Sequence, residues 1–232
     1  MTTVTTQDPI QPVSTVPAST EPSGARLAAG AGVAFVALNV ATLFVAGTPP
    51  ASDASATKVA HYFSGHAGAI QAQLLVSGLG IAALLWWSGT LWRMLSRAEG
   101  ERPRLTAAAG LSLAVGLALA LVSGCITASA AFRVDDVRTT HLLWSFSFVV
   151  LGAAGLGIGT FLLATNAIIV RANVAPTWIA YLGWLAALGF FAGTASTVTD
   201  ASAATAICLV AFLVWCVWIL AMSATMWRAP KA

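Results

Sequence analysis

The chain has 232 residues, of which 58% are hydrophobic and only 8% are Asp, Glu, Lys or Arg. A soluble domain carries about a quarter charged residues, so this chain is not built to face water on all sides. The formal net charge of +3 does not point to nucleic acid, because the basic residues stand singly at the ends of apolar runs instead of clustering on one face.

Six apolar stretches, each long enough to cross about 30 Å of hydrocarbon with roughly 20 helical residues, account for the composition. Lipid offers backbone groups no partners, so a spanning segment is a helix or part of a closed barrel. The apolar/polar alternation of barrel strands is absent. The expected fold class is therefore all-α: a polytopic transmembrane helix bundle with spans at about 27–46, 67–92, 105–131, 142–170, 178–198 and 201–227. Residues 1–26 read as a disordered tail, 27–228 as a single six-helix domain and 229–232 as a short tail.

The tail from Met1 to Gly24 is Thr, Ser, Pro, Gln and Val with little to bury. The first span, Leu27 to Ala46, follows Arg26 directly. A cleaved signal peptide ending near Ala54-Ser55-Ala56 is the competing reading, but the apolar run is long for such a peptide and a polar tail precedes it. Gly47-Thr48-Pro49-Pro50 stops the helix. Between Ala51 and Gly65, Asp53 is placed to cap a short amphipathic turn through Lys58, Val59 and Tyr62. The second span carries Gln71 and Gln73 near one end and Trp86, Trp87 and Trp92 near the other, where indoles favour the membrane interface.

Arg93, Arg97, Arg102 and Arg104 then fall in one short loop with only Glu99 and Glu101. In the third span Ala108, Ser112, Gly116, Ala120, Gly124 and Ala128 recur every four residues. That ribbon of small side chains lets a neighbouring helix approach closely, and Ser112, Gly116, Ala120 and Gly124 are its expected packing seam. A polar turn from Arg133 to His141 leads to the fourth span, which holds Gly155 and Gly159. Arg171 and Pro176 mark the next loop. The fifth span ends in the polar run from Thr194 to Asp200, and the sixth ends at Trp227-Arg228, with Lys231 beyond it. Eight basic residues (Arg26, Arg93, Arg97, Arg102, Arg104, Arg171, Arg228 and Lys231) share one side, against Lys58, Arg133 and Arg138 on the other. Cytoplasmic loops collect Lys and Arg, so both termini are expected in the cytoplasm.

The stretch Val174-Ala175-Pro176-Thr177-Trp178-Ile179-Ala180-Tyr181-Leu182-Gly183-Trp184-Leu185 resembles the opening of a late helix in small bacterial six-helix membrane proteins of unknown function. Those carry Leu-Pro-x-Trp-Leu-Gly-Trp-Leu-Gly; here Ala175 replaces the leucine and Ala180-Tyr181 lengthens the middle. The resemblance covers about a dozen residues. It implies a multi-pass protein of a bacterial cytoplasmic membrane, and it brings no catalytic residues.

Chemistry has few places to sit. No Asp, Glu, Lys, Arg or His falls within the expected hydrocarbon core, which argues against a carboxylate proton relay and against buried haem ligands. No nucleophile elbow, P-loop or dinucleotide fingerprint occurs. No catalytic residue and no cofactor are implied. Cys125, Cys208 and Cys216 lie in apolar spans as small hydrophobic side chains.

Uncharged polar residues concentrate in the external halves of the spans. Asn39, Gln71, Gln73, Ser123, Thr127, Ser145 and Ser196 are the candidate lining of an outward-open pocket; ordinary interhelical hydrogen bonding is the alternative. His66, His141 and Asp136 are candidate ligands for Zn2+ or Cu2+ on the same side, although no metal-binding spacing supports them. The expected role is an accessory component that binds a membrane-protein partner or a second copy of itself within the lipid bilayer. A small-molecule binder or permease, and then a metal-binding protein, are the other readings.

Overall fold

The computed structural model describes residues 22–51, 53–194 and 202–228, the side chains of 22, 23 and 202–205 excepted. Its regular elements are all helices: α1 Pro22–Thr42, α2 Ala56–Glu99, α3 Arg104–Ala131, α4 Val137–Ala172, α5 Thr177–Thr194 and α6 Ser202–Arg228. All six are long and apolar enough to cross a membrane. α1 as described already takes in Pro22 to Arg26, ahead of the expected Leu27. Residues 1–21 of the expected tail, the ends assigned to the fifth and sixth spans at 195–198 and 201, and 229–232 lie outside the described residues.

Two helices exceed what a membrane needs. The 44 residues of α2 extend about 66 Å and the 36 of α4 about 54 Å, against about 30 Å of hydrocarbon. The expected short turn around Lys58 is the beginning of α2 itself, unbroken into the span. Ser55 occupies the N-cap position, not Asp53, and its side chain makes no capping bond.

Chain neighbours are neighbours in space. α1 touches α6 to close the ring, and α2 also meets α4. Arg26 lies over the Trp227 ring, 5.7 Å from its centroid, so α1 begins where α6 ends. That end also carries the arginine-rich α2–α3 loop. The opposite end carries the histidines.

The α2–α3 connection is a carboxylate clamp. Gly100 takes a positive φ of 89°, and the chain re-enters a helix at Arg104. Glu99 Oε1 accepts from the Leu105 amide at 2.8 Å, and Oε2 accepts from the Thr106 amide and hydroxyl, each at 2.8 Å. An anion therefore sits on the positive end of α3. Partial desolvation pushes the Glu99 pKa up, but the bonds from Leu105, Thr106 and the Arg104 backbone outweigh it, and the net shift is downward.

The small-residue ribbon divides between two partners. Gly116 meets α4: a Cβ there would lie 2.9 Å from the Ile158 nitrogen, and one on Gly157 would lie 2.7 Å from the Ser112 oxygen and the Gly116 nitrogen. Backbones thus touch across the α3–α4 interface. Gly124 instead faces Leu74 of α2. A period of four overshoots the 3.6-residue turn by about 40° per step, so the ribbon winds from one neighbour to the next and is not a single seam. α4 is small on two faces, since Gly155 and Gly159 receive Phe190, Phe191 and Thr194 of α5.

Gly157→Leu should cost at least about 1–3 kcal/mol through overpacking against backbone atoms that cannot move aside. Gly124→Ala should cost less, because the flexible end of Leu74 can yield. Thermal unfolding in detergent checks the order. Glu99 contributes stability that is complete above its ordinary pKa of 4.5 and is lost as pH falls through its lowered folded value. The melting-temperature gap between the native chain and Glu99→Gln should therefore narrow between about pH 7 and about pH 3.

Candidate functional site

At the histidine end, the overlength starts of α2 and α4 build a second small core separate from the main one. Val59, Phe63 and Ile70 of α2 pack with Trp144 of α4, with Ala130 and Ala131 at the end of α3, and with Ala46. Phe63 and Trp144 meet edge to face at 5.4 Å. Tyr62 donates its hydroxyl to the Ala46 carbonyl at 2.9 Å and stacks on His66 at 4.7 Å. This cap ties the α1–α2 loop down onto the helix ends.

The candidate metal ligands serve that cap separately. His66 donates from Nδ1 to the Tyr62 carbonyl at 2.9 Å, and His141 donates from Nε2 to the Ala54 carbonyl at 3.2 Å. A carbonyl only accepts, so each ring must carry its proton on the bonded nitrogen. Asp136 is the N-cap of α4: Oδ1 accepts from the Arg138 and Thr139 amides at 3.1 Å, and Oδ2 accepts from the Thr139 hydroxyl at 2.6 Å. The hydroxyl and amide of Thr139, with smaller help from Arg138, hold its pKa below the usual carboxylate value. Among the described residues no group of three His, Cys, Asp or Glu could hold a metal. The three thiols stay free.

The candidate pocket residues are likewise not drawn together. Asn39 donates to the Phe35 carbonyl of its own helix at 3.1 Å and fits against Gly80 of α2. Ser123 donates across the α3–α4 interface to the Ser147 carbonyl at 2.9 Å, and Thr127 back to the Ser123 carbonyl at 3.0 Å. Ser145 donates to the His141 carbonyl at 3.0 Å. α1 and α3 make no backbone contact. Gln71 is exposed and Gln73 half-buried, while Ser196 lies outside the described residues. The histidine end does carry a recess of about 310 Å3, formed by the Thr48–Ala51 turn and by Lys58, His61, Tyr62 and His66 of α2.

A second set of bonded, buried polar groups lies deeper, towards the arginine end. Trp218 of α6 donates to Asn166 Oδ1 of α4 at 3.0 Å, and Asn166 Nδ2 donates to the Leu162 carbonyl at 2.7 Å. Trp87 of α2 donates to Ser223 Oγ of α6 at 3.0 Å. The two indoles meet edge to face at 6.0 Å, and Phe161 closes on Trp218 at 5.8 Å. Gly32 and Gly183 make room, since a Cβ at either would run into Ser223 and Trp87, or into Asn166. Trp215 packs among Phe35, Phe190 and Phe212, its N–H without an acceptor among the described residues.

Sequence reasoning placed Trp87 at the interface beside Trp86. A rotation of about 100° separates adjacent helical residues, leaving Trp86 68% exposed and Trp87 fully buried. The signal that could have found this network was Asn166, a lone amide in an otherwise apolar run.

Comparison with protein-family models, curated proteins and solved structures gives no match for this chain.

His141→Leu removes the bond that holds Ala54, whereas His141→Gln can still donate. Amide exchange at residues 54–60 should quicken in the leucine variant and stay closer to native in the glutamine variant.

Proposed function

We propose that this chain is a multi-pass protein of a bacterial cytoplasmic membrane, with the histidine end outside and both termini inside, acting as a partner-binding accessory component and not as a conduit. The observation that carries this reading is the filled interior. Trp87, Trp218, Trp215, Phe35 and Phe161 occupy the space between helices that a solute would need. Chemical handles lie instead on the outer cap, in Lys58, His61 and the polar turn from Arg133 to His141. The excess of arginine at the other end supports the orientation, and the likeness of the Val174–Leu185 phrase to small bacterial membrane proteins supports the setting.

A second reading has one observation behind it: the recess beside Lys58, His61 and His66 is near the lower limit of about 300 Å3 for small-molecule sites. It makes the cap a ligand-binding surface without making the bundle a permease.

Cysteines placed at Arg138 and at Glu101, in a chain lacking its native thiols, test the orientation. An impermeant thiol reagent should label the first in intact cells and the second only after lysis. A photo-crosslinker at His61 should trap a discrete membrane protein that also co-purifies after mild solubilisation, whereas one at Leu188, on the outer face of α5, should not. A chain that repeatedly emerges as an unpartnered monomer contradicts the accessory role. Uptake of solutes by liposomes carrying the purified chain contradicts the filled interior.

A further inference from the structure

The overhanging start of α2 runs against an electrostatic rule. Unpaired backbone N–H groups leave a helix N-terminus partly positive, and acidic side chains usually collect in its first turn. The first turn of α2 holds no acid and carries Lys58 instead. Its N-cap, Ser55, makes no capping bond. Lys58 is exposed, and among the described residues it has no ion-pair partner. Positive charge thus gathers at this end with no described side chain paired to it.

The recess of about 310 Å3 in the cap opens beside that end. Lys58, His61, Tyr62 and His66 fall within about 140° of one another around α2, and all four line it. Neither Asp nor Glu does so; Asp53, the nearest acid in sequence, is not among its walls. His66 gives Nδ1 to the Tyr62 carbonyl, whereas the Lys58 ammonium and the His61 ring bond to no other described group. The remaining surface is flat and apolar: Tyr62 stacks on His66 at 4.7 Å, and Pro49 and Pro50 add their rings. An inorganic ion would touch only the basic side. A molecule with a carboxylate and a flat apolar body would cover both.

We propose that the recess binds a small organic carboxylate, with its anionic group held by Lys58 and His61 and its apolar body against Tyr62, His66 and the two prolines. The inference rests on the reading of the cap as a ligand-binding surface and names the class of ligand. A bond between an ammonium and a carboxylate is charge-assisted and stronger than a neutral one, and the nearby helix N-terminus favours the same sign of charge.

The chain has three histidines, so the imidazole NMR signals of the full chain in uncharged detergent report on the site directly. Benzoate should shift the His61 and His66 signals saturably and leave His141, which does not line the recess, nearly unmoved. Benzamide, its neutral counterpart, should bind far more weakly, and so should inorganic phosphate. Lys58→Met should weaken benzoate by about tenfold, as expected for one charge-assisted bond, with unchanged melting, and Lys58→Arg should retain it. Equal binding of benzamide, or equal affinity in Lys58→Met, overturns the proposal while the cap remains a ligand surface. Phosphate binding as tightly as benzoate overturns the organic part. If none of the three probes moves His61 or His66, the proposal and the ligand-surface reading fall together.

Discussion

A single amide sets the constraint on which the middle of this bundle depends. Asn166 is fully buried, and an unpaired amide at such depth costs several kcal/mol in an apolar setting, about 2–7 by transfer measures. Its Nδ2 finds the Leu162 carbonyl one turn back, so Oδ1 needs a donor from elsewhere. Trp218 supplies it from α6, whose backbone does not contact α4. The Trp218 indole crosses that gap, and its ring fills the interior. Once Trp218 lies there, Trp87 and Phe161 pack on its faces and edges, Trp87 requires Ser223, and Gly32 and Gly183 must stay without side chains. One polar requirement thus fixes the lateral order of five helices. α3 is held differently, by Glu99 at its start and by backbone contact with α4 at Gly116 and Gly157.

The two ends of the bundle divide the remaining roles. Surplus length in α2 and α4 builds a cap with its own aromatic core, and His66, His141 and Asp136 are committed to holding it. Asn39, Ser123, Thr127 and Ser145 are likewise bonded to backbone carbonyls of their own helix or of the next one. The arginine end has a shorter connection and an open lateral hollow instead. An interior closed by indoles, with chemical variety confined to the cap and the flank, suits a protein that works through its surfaces.

The helical class and the six apolar elements were legible because hydropathy over about 20 residues is a strong signal that packing cannot reverse. Rotation about the helix axis was much less legible. Trp86 and Trp87 have the same composition and depth, yet one faces outwards and the other lies at the centre, and six nearly uniform apolar helices give no polar stripe to say which. The ribbon of small residues showed that α3 packs closely, but its winding between α4 and α2 follows from the mismatch between four and 3.6. Histidine and hydroxyl positions pointed to the end where α2 and α4 extend into a cap. Their use could not be read there, because local carbonyl acceptors are present at every helical turn and compete with any ligand.

The most direct measurement is a double-mutant cycle between Asn166 and Trp218, with unfolding of the detergent-solubilised chain followed for Asn166→Leu, Trp218→Phe and the pair. If the indole–amide bond organises the interior, the two changes will be strongly non-additive. The double variant should recover about 1 kcal/mol or more of the summed single losses, because it leaves neither partner buried alone. Strict additivity would contradict the account.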